Sequence, residues 1–386
     1  MKVIYILDVF PKISETFILN EILEMQKKCI TAEVFVFHKL NEDRLHSGVS
    51  NIKKITYYSK HKVFKELSAH LYLFLTRPIN YLKTLVFSLN RKNQCVRLFL
   101  GKVSFMILIV EAKPDHIHAH FGYRASNMAM LIHLLYGIPF TFTTHRYDIF
   151  DFPPRNYKIK SKLAKKHITI SEYNKRFIVD KFNVAESNIS VIHCGVDFQR
   201  EFPTRCIGDK KTILCVARLE KLKGIDILIK ACNELNKRHV DFECLIVGEG
   251  REREYLERLI NQYALVNQIK LLGHKTQDEI FKLLAKACVT VLSSRSEGIP
   301  VALMEAMAMR VPVIGPNIYG VHELIDDRIN GFLVEPENIT ELTEKMDILL
   351  KDLELRRRLS EKGYEKVRAE FNLKVETDKL LKIWTH

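Results

Sequence analysis

The sequence predicts an α/β protein with two doubly wound domains, each built on a parallel sheet. Short apolar runs alternate with helical patterns through the whole chain, which is typical of parallel sheets covered by helices on both faces. A polar, aperiodic stretch at 194–211, which contains Gly and Pro, separates two such series. The length of 386 residues suits two domains of ordinary size.

Six strands are predicted in each series. The patterns of the first half lie at 3–8, 33–38, 117–120, 140–144, 167–170 and 189–193, with helices such as 16–28 and 123–135 between them. Those of the second half lie at 212–217, 243–248, 269–273, 289–294, 311–315 and 331–335. We therefore expect a first domain at 1–198, a second at 199–371, and a last helix at about 372–386 that packs back on the first domain.

The first residues, MKVIYILDVFP, are predicted to form a buried strand rather than a signal peptide. Their apolar core is interrupted by Asp8 and Pro11, and no small-residue cleavage site follows. No uncharged run approaches the roughly 18–20 residues of a membrane span. The eight cysteines form no CxxC pair and are typical of reduced core residues in a cytoplasmic protein.

The net charge of +14 lies entirely in the first half of the chain. Residues 1–200 contain 30 Lys and Arg against 16 acids, and the segment 51–110 alone contains 11 basic residues and one acid. Because these cations interleave with Phe, Leu, Tyr and Val, the segment favours contact with an anionic membrane surface. An ordinary helix pair with a solvated basic face is the alternative. Nucleic-acid binding is disfavoured because no binding module is recognisable.

Unusual residues collect in the turns after predicted strands, where open α/β sheets bind ligands. In VARLEKLKG (216–224), Arg218 and Lys223 flank a turn at a helix start, a pattern that favours an anion such as phosphate over a merely solvated basic turn. In IVGEGRE (246–252), Gly248 and Gly250 would let backbone approach a ligand closely, although the GxGxxG dinucleotide motif is not completed.

Two glutamates stand eight residues apart in SEGIPVALMEAMA (296–308). Pro300 is suited to the first helical turn, so Glu297 is predicted to lie in the loop before a helix and Glu305 in its second turn. The two carboxylates thus differ in structural role, unlike a glycosidase acid–base pair. The alternative is a helix cap at Glu297 and a surface position for Glu305.

Three histidines alternate in DHIHAH, so His116, His118 and His120 share one face of a strand. Zinc binding, acceptor contact by His118 or His120, and simple packing are the open alternatives. No nearby set of carboxylates or cysteines completes a metal site in the sequence, so no metal is expected.

SEGIPVALMEAMA, with VARLEKLKG, IVGEG, LLGH and NGFLVEP in order, resembles the Glu-x7-Glu pattern of the retaining glycosyltransferases of family GT4. That resemblance implies the GT-B fold, with two facing Rossmann-like domains and an inter-domain cleft. FPKISETFILNEI, PDHIHAHFG, TFTTHRYDI, TISEYNK and HCGVD resemble the bacterial colanic-acid type of exopolysaccharide and lipopolysaccharide glycosyltransferases. Related enzymes act in aminoglycoside assembly.

The resemblance implies a nucleotide-sugar site in the second domain. Arg218 and Lys223 would bind the donor diphosphate without a metal ion, Glu305 would hold the ribose hydroxyls, and Glu297 would face the sugar. The other expected donor-site residues are Gly248, Gly250, His274, Gly298, Ile299 and Pro300.

In the first domain, the resemblance implies that His145 hydrogen-bonds the donor sugar. Ser14, Glu15 and Thr16 match a first loop near the diphosphate and acceptor, and His118 and His120 would line the acceptor side. Many relatives have a Gly-Gly pair in the first loop, where this chain has Lys12-Ile13.

The function expected from the resemblance is transfer of a sugar from a nucleoside-diphosphate donor to an acceptor hydroxyl with retention of configuration. A UDP-sugar is the first candidate donor. The acceptor would be a glycan, a lipid-linked sugar or a small molecule, and the pathway that of a bacterial surface polysaccharide. No cofactor is expected. The alternatives are aminoglycoside-type assembly, a sugar-nucleotide hydrolase or epimerase, and a non-catalytic glycan- or lipid-binding protein. The expected location is the cytoplasm, at the inner face of the plasma membrane.

Overall fold

The computed structural model describes residues 1–12, 14–40, 47–59, 63–90, 92, 94–206, 208 and 210–386. These residues divide into two compact units, one made of Met1–His193 with Thr377–His386 and the other of Cys194–Glu376. The division between His193 and Cys194 lies five residues before the predicted boundary at 198/199.

The first unit is built on a parallel sheet with the strand order β3-β2-β1-β4-β5-β6-β7. Its strands are β1 (Lys2–Val9), β2 (Thr31–His38), β3 (Ile55–Tyr57), β4 (His116–His120), β5 (Phe140–Thr144), β6 (Lys166–Thr169) and β7 (Ile189–Val191). The strand order reverses between β1 and β4, which is the mark of a doubly wound sheet.

Helices cover both faces of this sheet, so its central strands are buried on both sides. They are α1 (Thr16–Lys27), α2 (Val63–Thr76), α3 (Pro78–Leu89), α4 (Val96–Gly101), α5 (Val103–Glu111), α6 (Arg124–Tyr136), α7 (Tyr157–Leu163) and α8 (Glu172–Phe182). Every residue of β4 and β5 is buried, although each strand alternates polar and apolar side chains. The polar half of each strand must therefore find hydrogen bonds inside the unit.

The second unit has a parallel sheet with the order β10-β9-β8-β11-β12-β13. Its strands are β8 (Thr212–Val216), β9 (Glu243–Val247), β10 (Ile269–Leu271), β11 (Val289–Val291), β12 (Val313–Pro316) and β13 (Phe332–Val334). Its helices are α9 (Ile225–Lys237), α10 (Arg253–Gln262), α11 (Gln277–Leu284), α12 (Val301–Ala308), α13 (Val321–Leu324), α14 (Ile339–Lys351) and α15 (Leu353–Glu370). The last helix, α16 (Leu373–Thr385), begins in the second unit and ends in the first.

The predicted fold class is confirmed, and all twelve predicted strands are present within one to three residues of their expected ends. β3 was not predicted, because its three residues lie in a short, half-buried stretch with little alternation.

The end of α16 packs on the first sheet, where the Trp384 indole N–H donates to Thr141 Oγ1 at 3.0 Å. All eight cysteines lie among the described residues as free thiols; five are buried, while Cys29 and Cys206 are exposed and Cys194 is half-buried.

The helices α2 and α3 bury several polar side chains and expose many apolar ones, unlike an ordinary surface helix pair. Their buried positions include the polar residues Glu66, Thr84 and Ser88. Many apolar side chains are exposed: Val63, Phe64, Leu67, Leu71, Tyr72, Phe74, Leu75, Ile79, Leu82, Val86 and Leu89. Within the described parts of the chain, no helix has the length and hydropathy needed to cross a membrane.

Candidate functional site

The predicted donor residues of the second unit collect at one edge of its sheet. β10, β9, β8 and β11 are parallel neighbours, so the loops that leave their carboxyl ends lie side by side. These loops carry Arg218, Lys223, Gly248, Gly250, His274, Glu297, Gly298, Ile299 and Pro300.

Lys223 and Glu297 form the most buried charge pair at this edge. Lys223 ends a short 3₁₀ turn after β8, and its Nζ lies 2.6 Å from Glu297 Oε1. Ser294, at the end of β11, donates its hydroxyl to the same oxygen at 2.6 Å. Because both side chains are largely shielded from water, this pair holds a fixed positive and a fixed negative charge where the two loops meet.

A second set of bonds ties the same two loops together. The Arg295 guanidinium binds both carboxylate oxygens of Asp226, in the first turn of α9, at 2.9 and 3.0 Å. It also donates to the Lys221 carbonyl at 2.6 Å, and Ser293 Oγ donates to the Gly224 carbonyl at 2.7 Å. The bidentate pair fixes both direction and distance, so Lys223 has a rigid support.

The two glycines of IVGEG allow a close backbone contact within the second unit. A Cβ at Gly248, where φ is 142°, would overlap the Ala217 carbonyl oxygen, and one at Gly250 would overlap that of Leu219. These glycines therefore let the turn after β9 pack directly against the loop after β8. The close approach that we predicted is made to backbone; contact with a ligand stays a prediction.

Arg218 and His274 are more open to solvent than Lys223. The Arg218 side chain is 49% exposed and donates to Glu220 at 2.9 Å, and His274 is exposed after β10. An exposed guanidinium can rearrange at little cost, whereas Lys223 is held in place. The two predicted diphosphate ligands thus differ in their freedom to move.

Glu305 lies in the second turn of α12, as predicted, and it is buried rather than on the surface. Gln277, at the start of α11, donates its amide to Glu305 Oε1 at 2.6 Å and accepts from Arg200 at 2.9 Å. Burial raises the pKa of Glu305 to about 7, and the Gln277 hydrogen bond and the Arg200 charge oppose that rise. Near neutral pH both the ionised and the protonated form of this carboxyl are therefore populated.

In the first unit, His145 follows β5 and lies between two aromatic rings. Its ring centroid is 4.7 Å from that of Phe17 and 4.8 Å from that of Phe121. Its backbone N–H donates to Asp148 Oδ1 at 2.8 Å, and its Nε2 lies 3.3 Å from His120 Nδ1. Burial and the neighbouring His120 hold the pKa of His145 well below its usual range, so the ring is neutral at physiological pH.

The predicted first loop leads into the helix that packs on His145. Ser14 is exposed, Glu15 precedes α1, and Thr16 begins it, one residue before Phe17. Lys12 Nζ lies 2.5 Å from Glu15 Oε1. Ile13, the other residue that replaces a Gly-Gly pair, is outside the described residues.

The three histidines of β4 share one face, as predicted, and all are buried. The rings of His116 and His118 contact Trp384, and both are within 2.9 Å of Thr141 Oγ1. Burial lowers the pKa of His116 to about 3. An acceptor role for His118 and His120 stays a prediction.

One expectation about these histidines is wrong, because a carboxylate does lie beside them. Glu21 Oε1, on α1, is 3.4 Å from His120 Nε2 and 3.6 Å from His118 Nε2. Glu21 is about 100 positions away in sequence, so local spacing could not reveal it.

Three residues of the second unit were not predicted from the sequence: Gln277, Ser294 and Arg200. A signal existed for Gln277, since Thr276 and Glu279 form a capping box that marks the start of α11 at the carboxyl end of β10. Ser294 ends a predicted strand, where polar residues are informative. Arg200 lies in the aperiodic stretch between the domains, where no local pattern assigns it a role.

Two doubly wound units of this kind are the architecture of the GT-B class of glycosyltransferases. Residues 198–366 match the model described as "Glycosyl transferases group 1", and residues 65–200 match "Glycosyltransferase Family 4". Together with the relatives below, these matches show that the chain belongs to this glycosyltransferase family.

An uncharacterized glycosyltransferase of Methanocaldococcus jannaschii is 31% identical over 264 residues, 67% of this chain and 72% of that protein. The alpha-D-kanosaminyltransferase of Streptomyces kanamyceticus is 31% identical over 46% of each chain. The amylovoran biosynthesis glycosyltransferase AmsK of Erwinia amylovora is 40% identical over 31% of each chain. The matched stretch thus spans less than half the length of the latter two relatives.

A solved structure of Anabaena HepE in complex with UDP-glucose has a similar fold, with a TM-score of 0.76 at 16% identity. The match covers 99% of this chain and 98% of that one.

Proposed function

We propose that this glycosyltransferase moves a sugar from a nucleoside-diphosphate donor to an acceptor hydroxyl with retention of configuration. A UDP-sugar is the first candidate donor. The observation that carries the proposal is the Lys223–Glu297–Ser294 cluster in neighbouring loops of one sheet edge, together with Glu305 in α12, the helix that follows the Glu297 loop. A cation for phosphate and a carboxylate for ribose are the two polar groups that such a donor requires. The UDP-glucose bound to HepE supports the choice of donor.

The proposed reaction is a front-face substitution. The bond between the anomeric carbon and the diphosphate breaks while the acceptor oxygen bonds to the same face, and the acceptor proton passes to the departing phosphate oxygen. Lys223 and Arg218 stabilise the negative charge that develops on the diphosphate, the role that we assign to them instead of to Mg²⁺ or Mn²⁺. Ser294 and Lys223 hold Glu297, with the amides of Gly298 and Ile299, toward the sugar.

A thermal-shift screen with UDP-, GDP- and dTDP-sugars, followed by mass analysis of products, tests this proposal. We expect stabilisation by one donor class and transfer to a glycan acceptor without added Mg²⁺ or Mn²⁺. Release of free sugar faster than transfer would instead favour a hydrolase. The absence of any stabilisation would contradict a nucleotide-sugar site.

The biological setting that we propose is surface polysaccharide assembly, which the likeness to an amylovoran biosynthesis enzyme supports. The likeness to a kanosaminyltransferase supports a second candidate, glycosylation of a small aminoglycoside-type acceptor. Parallel assays with a lipid-linked saccharide and with an aminocyclitol separate the two, because only the true acceptor class should turn over.

We further propose that the α2–α3 pair docks the enzyme on an anionic bilayer at the cytoplasmic side. The exposed apolar face carries the basic residues Lys65, Arg77 and Lys83, so apolar insertion and attraction to acidic headgroups act together. Within the predicted segment 51–110, residues 60–62, 91 and 93 lie outside the described part of the chain. The proposal rests on the two helices alone.

Flotation with liposomes that contain phosphatidylglycerol tests this docking. Phe64→Ser removes an 83% exposed ring and should weaken binding by about 2 kcal/mol, roughly 30-fold. Leu353→Ser, at an exposed leucine of the second unit, is the matched control. Equal binding by both variants, or a dimer that buries this face and leaves liposome binding absent, would contradict the proposal.

A further inference from the structure

The first unit contains a cluster of metal-ligating side chains that the proposed transfer reaction does not use. Glu21 of α1 meets His118 and His120 of β4, and one ligand atom from each lies within 4.8 Å of the other two. His118 and His120 are buried at 0% and 1% exposure, and the Glu21 side chain is 16% exposed. Imidazole with carboxylate is the donor set that zinc and similar divalent ions prefer.

Two of the three spacings between these atoms match those of ligands around one ion. Zinc bonds to His nitrogen and carboxylate oxygen are about 2.0–2.2 Å long, so neighbouring ligands of a tetrahedral ion stand about 3.4 Å apart. Glu21 Oε1 lies 3.4 Å from His120 Nε2 and 3.6 Å from His118 Nε2. Three protein ligands would leave one position of the tetrahedron for water or another small ligand.

His120 supplies an independent sign that this position needs a ligand. Among the residues described, its Nε2 is buried and has no hydrogen-bond partner. A buried polar nitrogen without a partner costs free energy, and a cation placed between it and Glu21 would remove that cost. His120 Nδ1 would then carry the ring proton and donate it to His145 Nε2, which is 3.3 Å away.

The surrounding groups orient each ligand as in a metal site. The Tyr5 hydroxyl donates to Glu21 Oε1 at 3.1 Å. His118 Nδ1 lies 2.8 Å from Thr141 Oγ1, which would accept its proton once Nε2 held an ion. Thr143 Oγ1, 3.2 Å from His118 Nε2, would have to give up that contact.

We propose that Glu21, His118 and His120 form a site for a divalent transition metal of the zinc class within the first unit. The ion would join α1 to β4 close to His145, and would thereby fix the position of α1 and the tautomer of His145. This site is distinct in residues from the diphosphate site of the second unit. It does not depend on the proposed transfer reaction.

The test uses the full chain, purified without a polyhistidine tag, stripped with a chelator and titrated with ZnCl₂ in a calorimeter. We expect one zinc ion to bind per chain, and cobalt(II) to give the visible absorption of a four-coordinate nitrogen–oxygen site. Glu21→Gln keeps the size of the side chain and an acceptor for Tyr5, and should abolish this binding, as should His120→Asn.

Two further variants distinguish a metal site from a structural role. Tyr5→Phe removes only the hydrogen bond to Glu21 and should weaken zinc binding about tenfold to a hundredfold. His133→Asn, which alters a half-buried histidine of α6 outside the cluster, should bind zinc like wild type. Failure of the folded wild-type chain to bind zinc, or equal binding by Glu21→Gln, would overturn the proposal.

Discussion

The two units differ in the titratable side chains that their strands and loops carry. In the first, burial lowers the pKa of His116 and His167 to about 3 and keeps the pKa of His145 well below its usual range, so these buried rings are neutral. In the second, Lys223 and Glu297 are held as a charge pair, and the pKa of Glu305 is raised to about 7. The difference supports the proposed assignment of the charged diphosphate to the second unit.

The largest effect that this comparison predicts is on Lys223. Lys223→Ala removes the supported cation that offsets charge on the leaving diphosphate, and kcat/KM for sugar transfer should fall about 100-fold or more. Lys221→Ala is the matched control, because its side chain is exposed and alanine keeps the carbonyl that Arg295 binds. Steady-state kinetics of the two variants check this; similar losses in both would mean that general positive charge is what matters.

The next effect concerns stability at Glu305. Its pKa is about 7 in the fold against an ordinary value of 4.5, so the folded state is favoured while the carboxyl is protonated. As pH rises from 4.5 through 7, the unfolded chain loses this proton first, and the fold loses about 3 kcal/mol. Glu305→Gln cannot lose a proton, so its melting temperature should exceed that of wild type at pH 8 and equal it near pH 4.5. A constant difference between the two proteins across this range would be inconsistent with a raised pKa.

His145 provides the contrasting test in the first unit. The predicted hydrogen bond from the neutral His145 ring to the donor sugar would be worth about 1.4 kcal/mol, so His145→Ala should lower kcat for transfer roughly tenfold. Because UDP is assigned to the second unit, its dissociation constant should not change in this variant. Steady-state kinetics and a UDP titration test this, with His133→Asn as the control. Weakened UDP binding in His145→Ala would contradict the assignment of UDP to the second unit alone.

The last effect, of similar size, is the pH dependence of donor binding. In the proposed site the ionised form of Glu305 accepts the ribose hydroxyls, so affinity for a UDP-sugar, whose diphosphate does not titrate in this range, should rise roughly tenfold from pH 6 to pH 8. Glu305→Gln should bind more weakly and show a flat profile. A wild-type profile that is flat, or that falls with pH, would remove Glu305 from the ribose site.

The sequence was sufficient for the architecture and for placing the predicted loop residues of the second unit at one sheet edge, because both depend on local patterns. Strand patterns fixed where each β-strand ends, and Pro300 separated Glu297 from Glu305, as the start of α12 at Val301 confirms. Loops after neighbouring parallel strands then had to lie together. The short strand β3, with three half-buried residues, was too weak a pattern to predict.

Contacts between distant segments could not be predicted. The pairs Glu21 with His120, Gln277 with Glu305 and Trp384 with Thr141 join residues that only the folded sheets bring together. The sequence also could not predict which side chains of a helix point toward solvent. The α2–α3 segment was correctly described as basic and apolar, but only the structure shows that its large apolar side chains point outward.

Calorimetric titration of UDP into wild type and Lys223→Ala tests most directly whether the second unit holds a nucleoside diphosphate at its loop edge. We predict that wild type binds UDP much more tightly than uridine, and that Lys223→Ala loses most of this preference while Lys221→Ala keeps it. Equal affinity of wild type and Lys223→Ala for UDP would contradict the assignment of this edge to the diphosphate.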